Sequence, residues 1–190
     1  MKVLYTGATK FEAEQKLPEA SLGNYISSTE VPNGLLSNIF DTISRYTVKL
    51  NKAEIRVIAI QNDDLTTLTG LKAWFEYPNS ADSTPGDTND AYMKIGVAAV
   101  KVDDCGDLYI DKIGSSYAVP YSVTLYEADA EENALNLPDL TANGYLIIYL
   151  QRILDPITQV VPTSDELEAI LNGTTILPTT EEVQLIFSWN

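Results

Sequence analysis

Residues 53–61 read AEIRVIAIQ, and this stretch decides the expected fold. Ile55, Val57 and Ala59 fall on one side of an extended chain, and two further isoleucines fall on the other side. Side chains alternate between the two faces of a strand, so apolar residues on both sides indicate a strand that is covered on both faces. The stretch is therefore predicted to be a buried strand of a β-sheet.

Further strand candidates follow at fairly regular spacing, with turn residues between them. They are Lys2 to Thr6, Leu71 to Tyr77, Tyr92 to Val102, Asp107 to Ile113, Val119 to Tyr126, Tyr145 to Leu154 and Glu182 to Trp189. The third and fourth of these are expected to form a hairpin around residues 103–106. Long helices do not alternate with the strands, so a parallel sheet is not expected. The pattern predicts an all-β protein, an antiparallel β-sandwich with an immunoglobulin-like layout.

Two short helices are predicted beside the strands. The first follows Asn33 as N-cap, and its apolar positions recur at helical spacing: Leu35, Leu36, Ile39, Phe40 and Ile43. The second runs from Thr163 to Leu171, where Thr163 and Glu166 are placed as a capping box. We expect an N-terminal arm over residues 1–20 and a single β-sandwich domain over residues 21–190, with a helical insertion near 163–172.

Composition narrows the range of functions. The chain has 190 residues, a net charge of −15 and no histidine. This charge argues against direct nucleic-acid binding, because phosphate contacts need clustered Lys and Arg. No run of about 18 apolar residues is present, so no membrane span is expected. The start lacks the long apolar region of a signal peptide, and the lone Cys105 excludes a disulfide framework.

No catalytic or metal motif is found in the sequence. Without histidine, Ser–His or Cys–His catalysis in its usual form is excluded. Asp103, Asp104, Asp107 and Asp111 suggest a calcium loop, but their spacing does not fit the Asp-x-Asp-x-Asp-Gly pattern. A carboxylate pair for glycoside hydrolysis stays open, because sequence does not show which acids face each other. We therefore expect no enzyme, no metal and no cofactor.

Two arginines stand inside strong strand candidates of a chain that is poor in basic residues. They are Arg56 and Arg152. Arginine in such a position usually pairs with a carboxylate or extends to a sheet edge. A structural ion pair is expected.

Four segments, taken in order, resemble a group of poorly characterised virion proteins of tailed bacteriophages. The segments are SLGNYIS from Ser21, LLSNIFDTIS from Leu35, RVIAIQN from Arg56 and GYLIIYLQRIL from Gly144. Members of that group look like LGG-x-IS, then LNNLFD-x-(I/V)S, then YR-x-(I/F)-x-(V/I)-x-N, and late in the chain an aromatic-aliphatic-Arg-Arg pattern. Asn24 stands here in place of the second glycine, and a single arginine stands where two are common.

The resemblance implies a non-enzymatic structural protein of a phage virion, assembled in the host cytoplasm. Such a protein would lie in the head–tail connector or tail-ring region (the neck) or on the capsid surface. Its partners would be other virion proteins and further copies of itself, bound through protein–protein contacts, with no nucleic acid and no membrane. The expected contact residues lie in the arm, the loop Pro78 to Asp90 and the C-terminus: Tyr5, Phe11, Leu17, Pro85 and Trp189.

Two alternatives from other classes stay open. One is a receptor- or glycan-binding module displayed on a particle surface, which the eleven tyrosines and two tryptophans would suit. The other is a secreted metal-dependent hydrolase, which would need a bound ion and an acid cluster in a cleft.

Overall fold

A computed structural model describes residues 1–10, 14–35, 38–40, 53–76, 91–114, 118–154 and 183–190. Within these residues the chain forms eleven strands and two short 3₁₀ turns, at Pro18–Ala20 and Glu131–Asn133. The strands are β1 (Lys2–Ala8), β2 (Asn24–Glu30), β3 (Ala53–Gln61), β4 (Lys72–Glu76), β5 (Ala91–Ala99), β6 (Lys101–Val102), β7 (Leu108–Ile110), β8 (Tyr126–Glu127), β9 (Leu135–Asn136), β10 (Tyr145–Leu154) and β11 (Gln184–Ser188). All strand pairs among them are antiparallel, which confirms the all-β antiparallel prediction.

The strands form a large sheet and a small one. The large sheet has the order β6-β7-β2-β1-β3-β10-β5-β8, and the small sheet has the order β11-β4-β9. β3 and β10 lie in the middle of the large sheet and pair along their whole length, from Tyr145 opposite Gln61 to Ile153 opposite Ala53. Both strands have the bounds that the sequence predicted.

The large sheet curls round on itself. Val100 alone separates β5 from β6, although these strands stand near opposite ends of the strand order. One residue spans at most about 3.6 Å, so the two ends of the sheet must meet there. β5 pairs with β10, and β6 pairs with β7. The predicted strand Tyr92 to Val102 is therefore divided at Val100, because it changes its partner at that point.

Each face of the large sheet covers its own apolar core, and β3 and β10 contribute to both. The inner core lies in the curl and unites residues of β1, β3, β7 and β10 with two residues from irregular segments: Leu4, Ile55, Val57, Ala59, Ile110, Ile113, Val123, Ile147 and Tyr149. The outer core lies between the other face and the small sheet, with Ile58, Ile60, Ile148 and Leu150 on one side and Ala73, Trp74 and Phe75 on the other. This arrangement confirms the prediction that residues 53–61 are covered on both faces.

One predicted strand is wrong over most of its length. Residues 118–125 are irregular, and only Tyr126 of the predicted strand Val119 to Tyr126 pairs in a sheet, as the first residue of β8. The amide of Val123 donates to the carbonyl of Pro120 at 2.9 Å, which closes a turn there. Val119, Val123 and Leu125 still reach the inner core from this irregular segment. Their apolar spacing therefore reflects burial without strand pairing.

The helix predictions are less successful than the strand predictions. No α-helix occurs in the described ranges. Residues 33–35 and 38–40 are in turns, bends and irregular backbone, so the first helix is wrong over them; the rest of it lies outside the described residues. The turned chain still carries Ile39 and Phe40 onto the outer core, which explains their apolar character. The second helix (Thr163 to Leu171) and the loop Pro78 to Asp90 lie outside the described residues.

Candidate functional site

Four segments that carry the phage resemblance meet at β3. The third segment is β3 itself with Asn62, and the fourth is its neighbour β10. The first segment reaches β3 through Ser21, whose carbonyl accepts the amide of Val57 at 2.7 Å. The second reaches β3 through Phe40, whose ring centroid lies 5.4 Å from the guanidinium carbon of Arg56. Residues far apart in the sequence are therefore brought to one strand.

The first segment meets β3 through a buried group of hydroxyls. β1 pairs with β3 only as far as Tyr5, opposite Ile58. Beyond that point the carbonyl of Val57 accepts the hydroxyls of Thr6 at 2.6 Å and Ser21 at 2.7 Å. A Cβ on Gly23 would overlap the carbonyl oxygen of Asp111, and its φ of +90° is one that glycine adopts without strain. A glycine is therefore required at position 23, where the chain passes close to the backbone of Asp111.

Phe40 packs between two arginines at the end of β3 and β10. Its ring centroid lies 5.4 Å from the guanidinium carbon of Arg56 and 4.8 Å from that of Arg152. Arg152 also forms an ion pair with Glu54, which confirms the expected ion pair for this arginine. Both arginine side chains are largely buried, so the ring and the carboxylate stabilise charges that have lost water. We call Phe40, Arg56, Arg152 and Glu54 the arginine cluster.

The arginine cluster anchors the turned segment 38–40 on the sheet. A further bond at this segment comes from β1, where the hydroxyl of Tyr5 donates to the carbonyl of Asn38 at 2.7 Å. The guanidinium of Arg56 donates to the carbonyl of Ile55 at 3.0 Å. The bond from Tyr5 and the ring contacts with Arg56 and Arg152 fix the segment from three neighbouring strands, β1, β3 and β10. The cluster thus serves as a structural anchor.

No protein-family model, no curated protein and no solved structure matches this chain.

At the opposite end of β3, Asn62 holds two loops together. Its side chain is completely buried. The amide nitrogen donates to the carbonyls of Thr66 at 2.7 Å, Leu140 at 2.9 Å and Thr141 at 3.1 Å. The amide oxygen accepts the backbone N–H of Asp64 at 3.0 Å. The sequence pointed to Asn62 only through its place at the end of RVIAIQN, the third segment of the resemblance.

A groove of about 460 Å³ opens beside this end of the large sheet. Its walls come from β1, β2, β3, β7 and β10, and its apolar floor includes Leu4 and Ile26, which belong to or pack against the inner core. Tyr25 and Tyr145 add half-buried rings to the lining. Sequence reasoning missed the groove because its residues come from five strands and share no motif. We call it the end groove.

A network of charged groups closes one side of the end groove. The carboxylate of Asp103 accepts the ammonium of Lys10 at 2.9 Å, the hydroxyl of Tyr25 at 3.1 Å, and the backbone N–H groups of Cys105 at 2.8 Å and Asp107 at 2.9 Å. The hydrogen bond from Lys10 is the main reason that the pKa of Asp103 lies below its ordinary value. The same bond raises the pKa of Lys10, and the bond to Asp103 raises the pKa of the Tyr25 phenol.

Three of the four acids that suggested a calcium loop are engaged in the chain's own contacts. Asp103 and Asp107 bind Lys10, at 2.9 and 3.0 Å, and Asp111 pairs with Lys101. Among the described residues, no three Asp, Glu, Cys or His side chains are grouped so that they could hold a metal ion. Helices of membrane-spanning length and hydropathy are likewise not found in the described part of the chain.

The predicted contact residues fall in different environments. Leu17 and Trp189 are exposed, at 54% and 46%. Tyr5 is buried in β1, so a contact with another chain would require this segment to be released. Phe11 and Pro85 lie outside the described residues.

The described part of the arm is docked on its own chain. The backbone N–H of Gln15 donates to the hydroxyl of Ser27 at 2.9 Å, and that hydroxyl donates to the backbone carbonyl of Gln15 at 2.7 Å. The side chain of Gln15 donates to the carbonyl of Thr6 at 2.5 Å. β1, which begins the chain, is moreover an internal strand of the large sheet.

Proposed function

We propose that this chain is a non-enzymatic structural component of a tailed-phage virion, acting through protein–protein contacts in the neck, in the tail or on the capsid surface. The observation that carries the proposal is the meeting of the four resemblance segments at β3. The likeness thus concerns segments that lie together in the fold, which supports the proposal of a shared structural unit.

The surface of the chain is compatible with an assembly role, although apolar side chains that are scattered singly are normal on a protein surface. Large apolar side chains project at several separate places: Leu17, Leu35, Leu65, Val102, Tyr121, Tyr126 and Trp189. Exposed aromatic and aliphatic groups supply contact area when a protein surface is covered by a partner. A net charge of −15 favours contact with less acidic partners and opposes contact with DNA.

The proposal includes a layout for the domain. One core is shared by the large and small sheets, which supports the two packed layers of a β-sandwich. The immunoglobulin-like strand order stays a prediction. So does the division into an arm over residues 1–20 and a domain over 21–190, and deletion of the whole arm would remove an internal strand.

The proposal is tested on purified particles. Virions from a culture that produces this chain are banded by density and examined with an antibody raised against the recombinant protein. The chain should sediment with intact particles and remain with them after a salt wash that removes adsorbed proteins. Its recovery only from the soluble fraction of the lysate would overturn the proposal.

The predicted contact residues are tested by substitution of exposed side chains that leave the fold intact. Leu17→Asp and Trp189→Asp each place a charge on a proposed contact, whereas Thr67→Asp is a control at an exposed residue that is not one of the large apolar side chains. Self-association or particle binding, followed by native mass spectrometry and co-sedimentation, should weaken about tenfold or more with the first two, as expected for a central contact residue. Equal behaviour of all three variants would show that contacts lie elsewhere.

A further inference from the structure

The end groove has the size of a ligand site. Pockets for small ligands usually measure about 300–1,000 Å³ and combine an apolar lining with a few placed polar groups. The groove has about 460 Å³, a floor that includes Leu4, Ile26 and Leu108, and polar side chains around that floor. Its floor is continuous with the inner core, so its shape is fixed by the central strands.

The charges of the side chains that line the end groove cancel, and Asp103, which binds Lys10, is not part of that lining. Lys2 pairs with Glu30 at 3.3 Å, and Lys10 pairs with Asp107 at 3.0 Å. The lining therefore holds two positive and two negative side chains, in a chain whose net charge is −15. A strongly charged ligand would meet no surplus of opposite charge in this lining. The balance favours an uncharged ligand.

Two tyrosines and an amide supply what a polar, uncharged ligand needs. Tyr25 and Tyr145 present half-buried rings in the lining. The amide of Gln61 donates to the hydroxyl of Tyr145 at 2.7 Å. Because that hydroxyl accepts the bond, its own hydrogen can be donated to a ligand, and the amide oxygen of Gln61 can accept. Ring surface beside paired donors and acceptors suits a sugar, which has apolar C–H faces and hydroxyl edges.

We propose that the end groove binds a neutral saccharide. The sugar ring packs on Tyr145 and on the apolar floor, and its hydroxyls bond to Tyr145 and Gln61. The proposal goes beyond the structural role and does not depend on it. In a particle component, such a site would contact neutral glycans on a cell surface.

The test is a titration of the ¹⁵N-labelled full chain with neutral trisaccharides, followed by NMR. The probes are maltotriose, cellotriose, mannotriose and chitotriose. At least one should shift the amides of residues 26–30, Gln61 and Tyr145, with a Kd of about 1 mM or tighter. Absence of any shift with all four probes at about 10 mM would overturn the proposal.

Variants assign the binding to the groove. Tyr145→Phe keeps the ring but removes the donated hydrogen, and should weaken binding about tenfold. Ser28→Trp places a large side chain at an exposed position of the lining and should abolish binding. Tyr121→Phe, at a fully exposed tyrosine outside the groove, should leave the Kd unchanged.

Two further outcomes would contradict the assignment. Shifts confined to Tyr121 and Tyr126 would show that exposed aromatic side chains carry the interaction. Binding of sialyllactose or a heparin tetrasaccharide without any neutral trisaccharide would show that the ligand is an anion.

Discussion

The two ends of β3 and β10 are built differently, although the same pair of strands forms both. At the end that holds Glu54, Arg56 and Arg152, charged side chains are largely buried against an aromatic ring. At the end that holds Gln61 and Tyr145, polar side chains line an open groove. The first end uses its polar groups to fix the chain, whereas at the second end Asn62 fixes loops and Gln61 and Tyr145 stay in reach of a ligand. A polar residue of this sheet can therefore anchor a segment or contribute to a binding site, and the burial of its side chain distinguishes the two roles.

The largest stability effect is expected from Asn62, behind the end groove. Asn62→Ala should lower the free energy of unfolding by about 3 kcal/mol, because buried carbonyls lose their shared donor. Asn136→Ala, at an exposed asparagine, should change it by no more than about 0.5 kcal/mol. Urea denaturation measures both. Equal stabilities of the two variants would mean that Asn62 does not hold its loops.

A smaller loss is expected from the ring of the arginine cluster. Phe40→Ala should cost about 2–3 kcal/mol, because a half-buried ring is removed from the outer core and from two guanidinium groups. Phe40→Leu keeps the apolar packing and should cost about 1 kcal/mol. If urea denaturation shows the same loss of unfolding free energy for both variants, the aromatic ring does not stabilise the two arginines.

Two ion pairs, one at each end of β3 and β10, allow the two ends to be compared directly. Glu54→Gln should cost about 1–2 kcal/mol, since the side chain of Arg152 is only 12% exposed and loses a carboxylate. Glu30→Gln, in the exposed pair with Lys2, should cost no more than about 0.5 kcal/mol. The difference should persist in 0.5 M salt, which screens the exposed pair. Equal losses would contradict the contrast between an anchored end and an open end.

The smallest effect concerns acid titration at the end groove. The pKa of Asp103 is depressed mainly by Lys10, so the contribution of this carboxylate to stability is present above its unfolded pKa and is lost as the pH falls through its folded pKa. Lys10→Met should raise the pKa of Asp103 toward its ordinary value. A ¹³C-detected NMR titration of the carboxyl measures the shift. An unchanged pKa would show that the backbone N–H groups and the Tyr25 hydroxyl depress it without Lys10.

The sequence predicted what depends on local pattern and missed what depends on pairing. β3 and β10 were predicted with their observed bounds because long apolar runs of period two leave little choice. The curl was not predicted, since Val100 gives no sign that its strand changes partner. Phe40 was singled out, but as part of a helix, because helical spacing and a turned segment can present the same apolar residues. The end groove is an outcome of topology alone.

The most direct measurement is cryo-electron microscopy of intact particles from a culture that produces this chain. The account predicts density that matches the curled sheet and its small partner sheet at symmetry-related positions in the neck, in the tail or on the capsid surface. A map in which all ordered protein density is explained by other chains would contradict the account.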